Sequence, residues 1–163
     1  YYICMKTKKT EKSTIYKADK EIKMKMAAPC GINCALCMAH LREKNQCAGC
    51  RQMDPNMPEY CRACIIRTCE NIKQSKSGFC YECGVFPCKR MKTLSKRYCQ
   101  KYGVSILRNL AFIKEHGKRK FIKKEKEKWT CPECGSPLCM HRPVCIGCHA
   151  KNPWIGEYNE KED

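Results

Sequence analysis

The spacing of the cysteines constrains this chain more than any other feature, because it decides what can stand in for a hydrophobic core. Cysteines recur as pairs separated by two residues, at Cys34/Cys37, Cys47/Cys50, Cys61/Cys64, Cys80/Cys83, Cys131/Cys134 and Cys145/Cys148. Two thiolates that close in sequence chelate one ion well, since both can turn toward a common centre. Disulfides across so short a loop are mostly redox devices, so the spacing points to metal and to a reducing compartment, here the cytoplasm. The chain of 163 residues holds 18 cysteines but only four Phe and two Trp. Large core anchors are scarce, and metal cross-links are the expected substitute. The opening residues, Tyr1-Tyr2-Ile3-Cys4-Met5-Lys6, lack the positive region and apolar run of a secretory signal. No stretch approaches the roughly 20 apolar residues of a membrane span, so no membrane role is expected.

Composition along the chain divides it into five parts. Residues 1–28 are lysine-rich with little apolar periodicity and read as a basic, disordered extension. Residues 29–88 are a dense cysteine region, with room for one short helix over 35–44 in which Leu36, Ala39 and Met38 are candidates to face inward. Residues 89–129 turn helical: Met91, Leu94, Tyr98 and Tyr102 follow an amphipathic progression. After Gly103, a second helix is expected over 104–116, with Leu107, Leu110, Ala111 and Ile113 inward and Gly117 closing it. A basic segment with Phe121, Ile122 and Trp129 follows. Residues 130–150 form another cysteine module, and 151–163 a tail. The fold class expected is a small, irregular, metal-stabilised α+β protein: cysteine knuckles, a helical segment and a C-terminal zinc-ribbon-like module.

The candidate metal ligands fall into clusters. The first is Cys30, Cys34 and Cys37, a C-x3-C-x2-C triplet, followed by Cys47 and Cys50. A C-x2-C-x4-C unit then appears as Cys61/Cys64/Cys69, Cys80/Cys83/Cys88 and Cys131/Cys134/Cys139, the last followed by His141, Cys145 and Cys148. Cys131, Cys134, Cys145 and Cys148 have the two-knuckle arrangement of a zinc ribbon, with Gly135 and Gly147 as its permissive backbone positions. Cys139 and His141 are candidates to replace a ligand there or to serve another site. Cys69, Cys80, Cys83 and Cys88 can form one four-thiolate set, and Cys47, Cys50, Cys61 and Cys64 another; interleaved pairings fit the spacing almost as well. The triplet leaves two readings open. It is a further zinc site, completed by His40, His141 or Cys139, or it holds an iron–sulfur cluster, since thiolates suit both. C-x3-C-x2-C is also the spacing of radical enzymes that use S-adenosylmethionine, but those need a barrel of strands and helices that this chain lacks the strand runs to build. Cys99 falls beside the apolar face of the first long helix and reads as a small packed residue.

Taken in order, Cys30-Gly31-x2-Cys34-x2-Cys37, Cys47-x-Gly49-Cys50, Tyr81-Glu82-Cys83-Gly84-x-Phe86-Pro87-Cys88 and Trp129-x-Cys131-Pro132-x-Cys134-Gly135 resemble a prokaryotic cysteine-rich family, domain of unknown function 3795. The resemblance runs over residues 30–148 and takes in Tyr102-Gly103-Val104-Ser105. It implies zinc binding and supplies no activity or substrate.

Charge bears on partners. The formal net charge is +17, but each zinc bound by four thiolates carries −2, so four such sites would bring it to about +9. Residues 89–128 hold fifteen Lys or Arg and three acids, interleaved with Tyr98, Tyr102 and Phe121. Such a face suits a nucleic acid or a protein partner, or simply balances the metal–thiolate centres. Catalysis has little support: there is no nucleophile elbow, phosphate loop or HExxH, and four histidines offer little general-base material. The expected function is a multi-site zinc-binding module or adaptor, the alternative an iron–sulfur or redox accessory protein.

Overall fold

The two long helices form where apolar residues recur every three or four positions. The computed structural model describes residues 24–155; Cys4, most of the basic extension and the end of the tail lie outside them. Three helices are single turns, α1 (Met38–Leu41), α2 (Glu59–Arg62) and α3 (Glu70–Lys73). Two are long, α4 (Lys89–Tyr102) and α5 (Ile106–Lys128). Among the described residues β structure amounts to three isolated bridges, Ala27 with Asn33, Thr130 with Pro137 and Val144 with Lys151.

Helix α4 buries Met91, Ser95 and Cys99 and half-buries Leu94, Tyr98 and Tyr102, the stripe its sequence progression implies. Gly103 ends it with a φ of 65°, donating to Cys99 O at 3.0 Å while Val104 N–H reaches Tyr98 O at 3.3 Å. Glycine takes that left-handed turn without a Cβ penalty. Ser105 then caps α5, its hydroxyl accepting the Arg108 N–H at 3.3 Å. Gly117 breaks α5 rather than closing it: its φ of 83° and ψ of 158° are not helical, yet helix resumes beyond it. The resumption buries Phe121, Ile122 and Glu125. Cys99 is buried, its thiol 3.5 Å from Val104 O.

The expected helix over 35–44 is split. A 3₁₀ turn over Cys34–Leu36 is followed by an extended Cys37 (φ −79°, ψ 141°) and then by α1. Leu36 and Ala39 are buried, but Met38 points to solvent at 44% exposure.

Three apolar clusters organise these pieces. The main one joins Met26, Ala27, Ala28, Cys30, Cys34 and Phe79 to Met91, Ile106, Leu110, Ile113, Phe121 and Ile122, so the helical hairpin backs the cysteine region. Residues 26–28, expected in the extension, thus belong to the core. A second cluster gathers Leu36, Val104, Trp129, Leu138 and Met140 around Cys131 and Cys145. A third, small one sets Cys47 with Ala39 and Met57, with Cys37 and Cys61 against it.

Gly31 is where the hairpin approaches most closely. Its φ is +87°, and a Cβ there would lie 2.8 Å from Leu110 Cγ and 3.1 Å from Ile106 O. Gly31→Ala combines left-handed strain with overpacking against backbone and is expected to cost about 2 kcal/mol. A shifted urea midpoint with unchanged slope checks this.

Candidate metal centres

The C-terminal module is built as two copies of one turn. Cys131 N–H bonds to Ser136 O at 2.9 Å, and fourteen residues on Cys145 N–H bonds to Ala150 O at 2.8 Å. Gly135 N–H to Cys131 O at 2.9 Å is matched by His149 N–H to Cys145 O at 3.0 Å, and Leu138 N–H to Trp129 O by Asn152 N–H to Pro143 O, both at 2.8 Å. Each turn is flanked by its own bridge. The residue after the second cysteine is left-handed in both copies, Gly135 at φ 71° and His149 at φ 63°. Gly147, expected to serve this purpose, does not: its place is steric, since a Cβ there would fall 2.7 Å from Ser136 Oγ. His149 carries the strained position instead, and nothing in its side chain announces that.

These turns aim four sulfurs inward. The Sγ atoms of Cys131, Cys134, Cys145 and Cys148 all lie within 4.8 Å of one another, with Cys131 to Cys148 at 3.6 Å and Cys134 to Cys145 at 3.7 Å. A tetrahedral ion with metal–sulfur bonds of about 2.3 Å has sulfur–sulfur edges of about 3.8 Å, so the donor set fits one ion. Two sulfurs are buried and two are at the surface. The Ser136 hydroxyl and N–H hold the Cys134 thiol down to about 6, but burial raises that of Cys145 and Cys148 is raised to about 12, so a metal displaces protons here. Gly147 N–H points at Cys145 Sγ at 3.3 Å.

Cys139 and His141 stand outside this set. Cys139 is fully buried, and its carbonyl accepts from Asn152 Nδ2 at 3.0 Å. His141 Nδ1 accepts the Met38 N–H at 3.3 Å, which leaves its proton on Nε2, 3.5 Å from the Tyr98 hydroxyl. Burial lowers its pKa, and Tyr98 and Tyr102 pack edge-on against the ring.

Among the described residues no other three candidate ligands have their donor atoms within 4.8 Å, and no cysteine is in a disulfide. The remaining cysteines still group. Cys69, Cys80, Cys83 and Cys88 line one pocket with Ile65, Ile66, Ile72, Phe86 and Met91. The triplet divides: Cys30 and Cys34 belong to the main core, which Cys50 and Cys64 adjoin, while Cys37 sides with Cys47 and Cys61. Cys50 N–H approaches Cys34 Sγ at 3.4 Å. The set Cys47, Cys50, Cys61 and Cys64, grouped on spacing, is thus shared between two clusters. Burial pushes the thiols of Cys37 and Cys80 up to about 12 and that of Cys61 to about 11, so a metal must displace protons to bind there.

The basic hairpin keeps its lysines in solvent but not its aromatics. Phe121 is 1% exposed, and Tyr98 and Tyr102 pack on each other and on His141. Glu125, an acid among lysines that the sequence gives no reason to single out, is buried, with Trp129 and the fully buried Asn33 beside it.

The chain is therefore a cysteine-rich, partly helical protein with a four-cysteine set that could hold a metal ion. The sequence model of the family described as "Protein of unknown function (DUF3795)" matches residues 26–93, less than half of the chain. The matched segment ends inside α4, so the C-terminal module, which the resemblance also covered, lies beyond it. No curated protein and no solved structure matches the chain. No described helix is long and apolar enough to cross a membrane.

Proposed function

We propose that this chain is a multi-site zinc protein acting as a binding or adaptor module. The observation that carries the reading is the gathering of four cysteine sulfurs from two repeated turns within 4.8 Å, a donor set that suits a closed structural ion better than an open catalytic one. Cys131 and Cys145 would hold zinc from the core side, Cys134 and Cys148 from solvent. The ion would supply cross-linking, tying the two C-terminal turns to each other. The free thiols support a reducing compartment such as the cytoplasm. The partner is anionic, a nucleic acid or an acidic protein surface, met by the exposed lysines and arginines of α4 and α5. With Phe121 buried, the contact is to charge rather than by base stacking, so affinity for a nucleic acid probe falls steeply and sequence-independently with salt. Elemental analysis of anaerobically purified protein tests the metal: more than one zinc per chain and a colourless sample are expected. Binding to a labelled duplex that does not vary with salt would rule out the charge-based contact.

One observation favours a second reading for residues 30–88. No three of their described thiols lie within 4.8 Å of one another, and four of them line an apolar pocket. Thiolates on different irons of a cluster stand further apart than those around one ion, so iron with acid-labile sulfide and a brown sample would establish an iron–sulfur accessory protein instead.

A further inference from the structure

Each of the first three C-x2-C pairs is divided between two apolar clusters. Cys37, Cys47 and Cys61 meet around Ala39 and Met57, while Cys34, Cys50 and Cys64 face the main core beside Cys30. This is the opposite of the C-terminal turns, where both sulfurs of a pair converge. The outer trio lacks a fourth thiol from its own segment, and the chain brings one from the other end. Met140 N–H bonds to Leu36 O at 2.9 Å and Met38 N–H to His141 Nδ1 at 3.3 Å. These two bonds lay residues 139–141 along residues 36–38, with Cys37 between the bonded positions and Cys139 next to Met140. Cys139 is wholly buried, belongs to no other set, and is among the thiols whose charge acts on Cys37, together with Cys61 and Cys50.

We propose that Cys37, Cys47, Cys61 and Cys139 form a four-thiolate metal centre that ties the C-terminal module to the N-terminal cysteine region, and that Cys30, Cys34, Cys50 and Cys64 form a second one beside it. The proposal rests on the multi-site metal reading and deepens it. Together with Cys69, Cys80, Cys83 and Cys88 and the C-terminal four, the described cysteines are then all assigned except Cys99, which packs in α4. The ligand is a thiophilic metal, zinc or the irons of a cluster. No three of the four outer sulfurs lie within 4.8 Å of one another, so a single ion draws them inward, whereas a cluster needs less movement. The rival fourth ligand is His40, whose Nδ1 is 2.7 Å from Cys47 O, an arrangement that leaves Nε2 available.

The test is non-additivity of metal loss in the full chain, read as zinc, iron and sulfide per chain. Cys139→Ser and Cys61→Ser should each remove one centre, and the double variant no more than either alone. Cys61→Ser with Cys64→Ser should remove two, and His40→Gln none. The proposal falls if Cys61→Ser and Cys139→Ser are additive, if Cys61→Ser and Cys64→Ser together remove only one centre, or if His40→Gln removes one and Cys139→Ser none. Should Cys139→Ser fail to fold, Cys37→Ser with Cys61→Ser reads the same centre, with one centre lost expected and two overturning it. A wild-type chain holding a single metal ion would sink the multi-site reading itself, and this proposal with it. Several centres with additive losses would sink the proposal alone.

Discussion

Cys134→Ser is expected to remove about one metal ion per chain and to destabilise the C-terminal module by several kcal/mol, a part of the roughly 10–16 kcal/mol that structural zinc binding supplies at neutral pH. The substitution is informative because Cys134 is at the surface and contributes little to packing. Serine there has almost no apolar contact to lose, so any large effect must act through the metal. Its neighbours sharpen the point. Cys131 and Cys145 are buried within the cluster of Leu36, Val104, Trp129, Leu138 and Met140, so losing the ion loosens the floor on which those side chains pack. Thermal unfolding with and without a strong chelator is the decisive measurement. The variant should melt well below wild type in untreated protein, and the two should coincide once metal is stripped. A gap that persists in chelator would mean that Cys134 stabilises the module by something other than a bound ion.

How much of this is legible in the sequence depends on whether the signal is local. The four-sulfur set is readable because C-P-E-C-G and C-I-G-C fix each half within five residues and leave only one long-range pairing to guess. The stripe on α4 and its end at Gly103 are readable for the same reason, with period and stop lying in consecutive residues, whereas the Ser105 cap that starts α5 at Ile106 falls inside the helix expected over 104–116. The division of the first three C-x2-C pairs is not legible, since it turns on an extended Cys37 between a 3₁₀ turn and α1, and on which wall each thiol meets. Spacing says that two cysteines can share a centre; it cannot say that their neighbours prevent it. Gly147 shows the same limit at smaller scale. Its glycine stands out in the sequence but its reason does not, because the reason is Ser136 on the other turn. The charge of α4 and α5 is plain, whereas the fate of Phe121 is not: an aromatic among lysines reads the same on either face of a helix until the opposing surface is known.

Glu125 carries the second large expectation. It is 6% exposed, and burial raises its carboxyl to about 7 even though Lys128 and Lys124 pull the other way. The folded protein therefore holds a proton that the unfolded chain, with a carboxyl near 4.5, gives up earlier. The sign follows from proton linkage: the contribution is complete below about pH 4.5, declines as pH rises toward 7 and is lost above it. Moving a carboxyl from 4.5 to about 7 makes the whole decline about 3 kcal/mol. Glu125→Gln keeps the shape and removes the ionisation, so it should match wild type near pH 4.5 and exceed it by about 3 kcal/mol at pH 8. Metal release at low pH would obscure an absolute curve, because thiols regain protons there. The difference between the two proteins cancels that contribution, since Glu125 ligates nothing and both lose metal alike. Denaturant midpoints at several values between about pH 5 and 8 supply the measurement. A difference that stays flat across the window would show that Glu125 is ionised in the folded state, held by Lys124 and Lys128 strongly enough to overcome its burial.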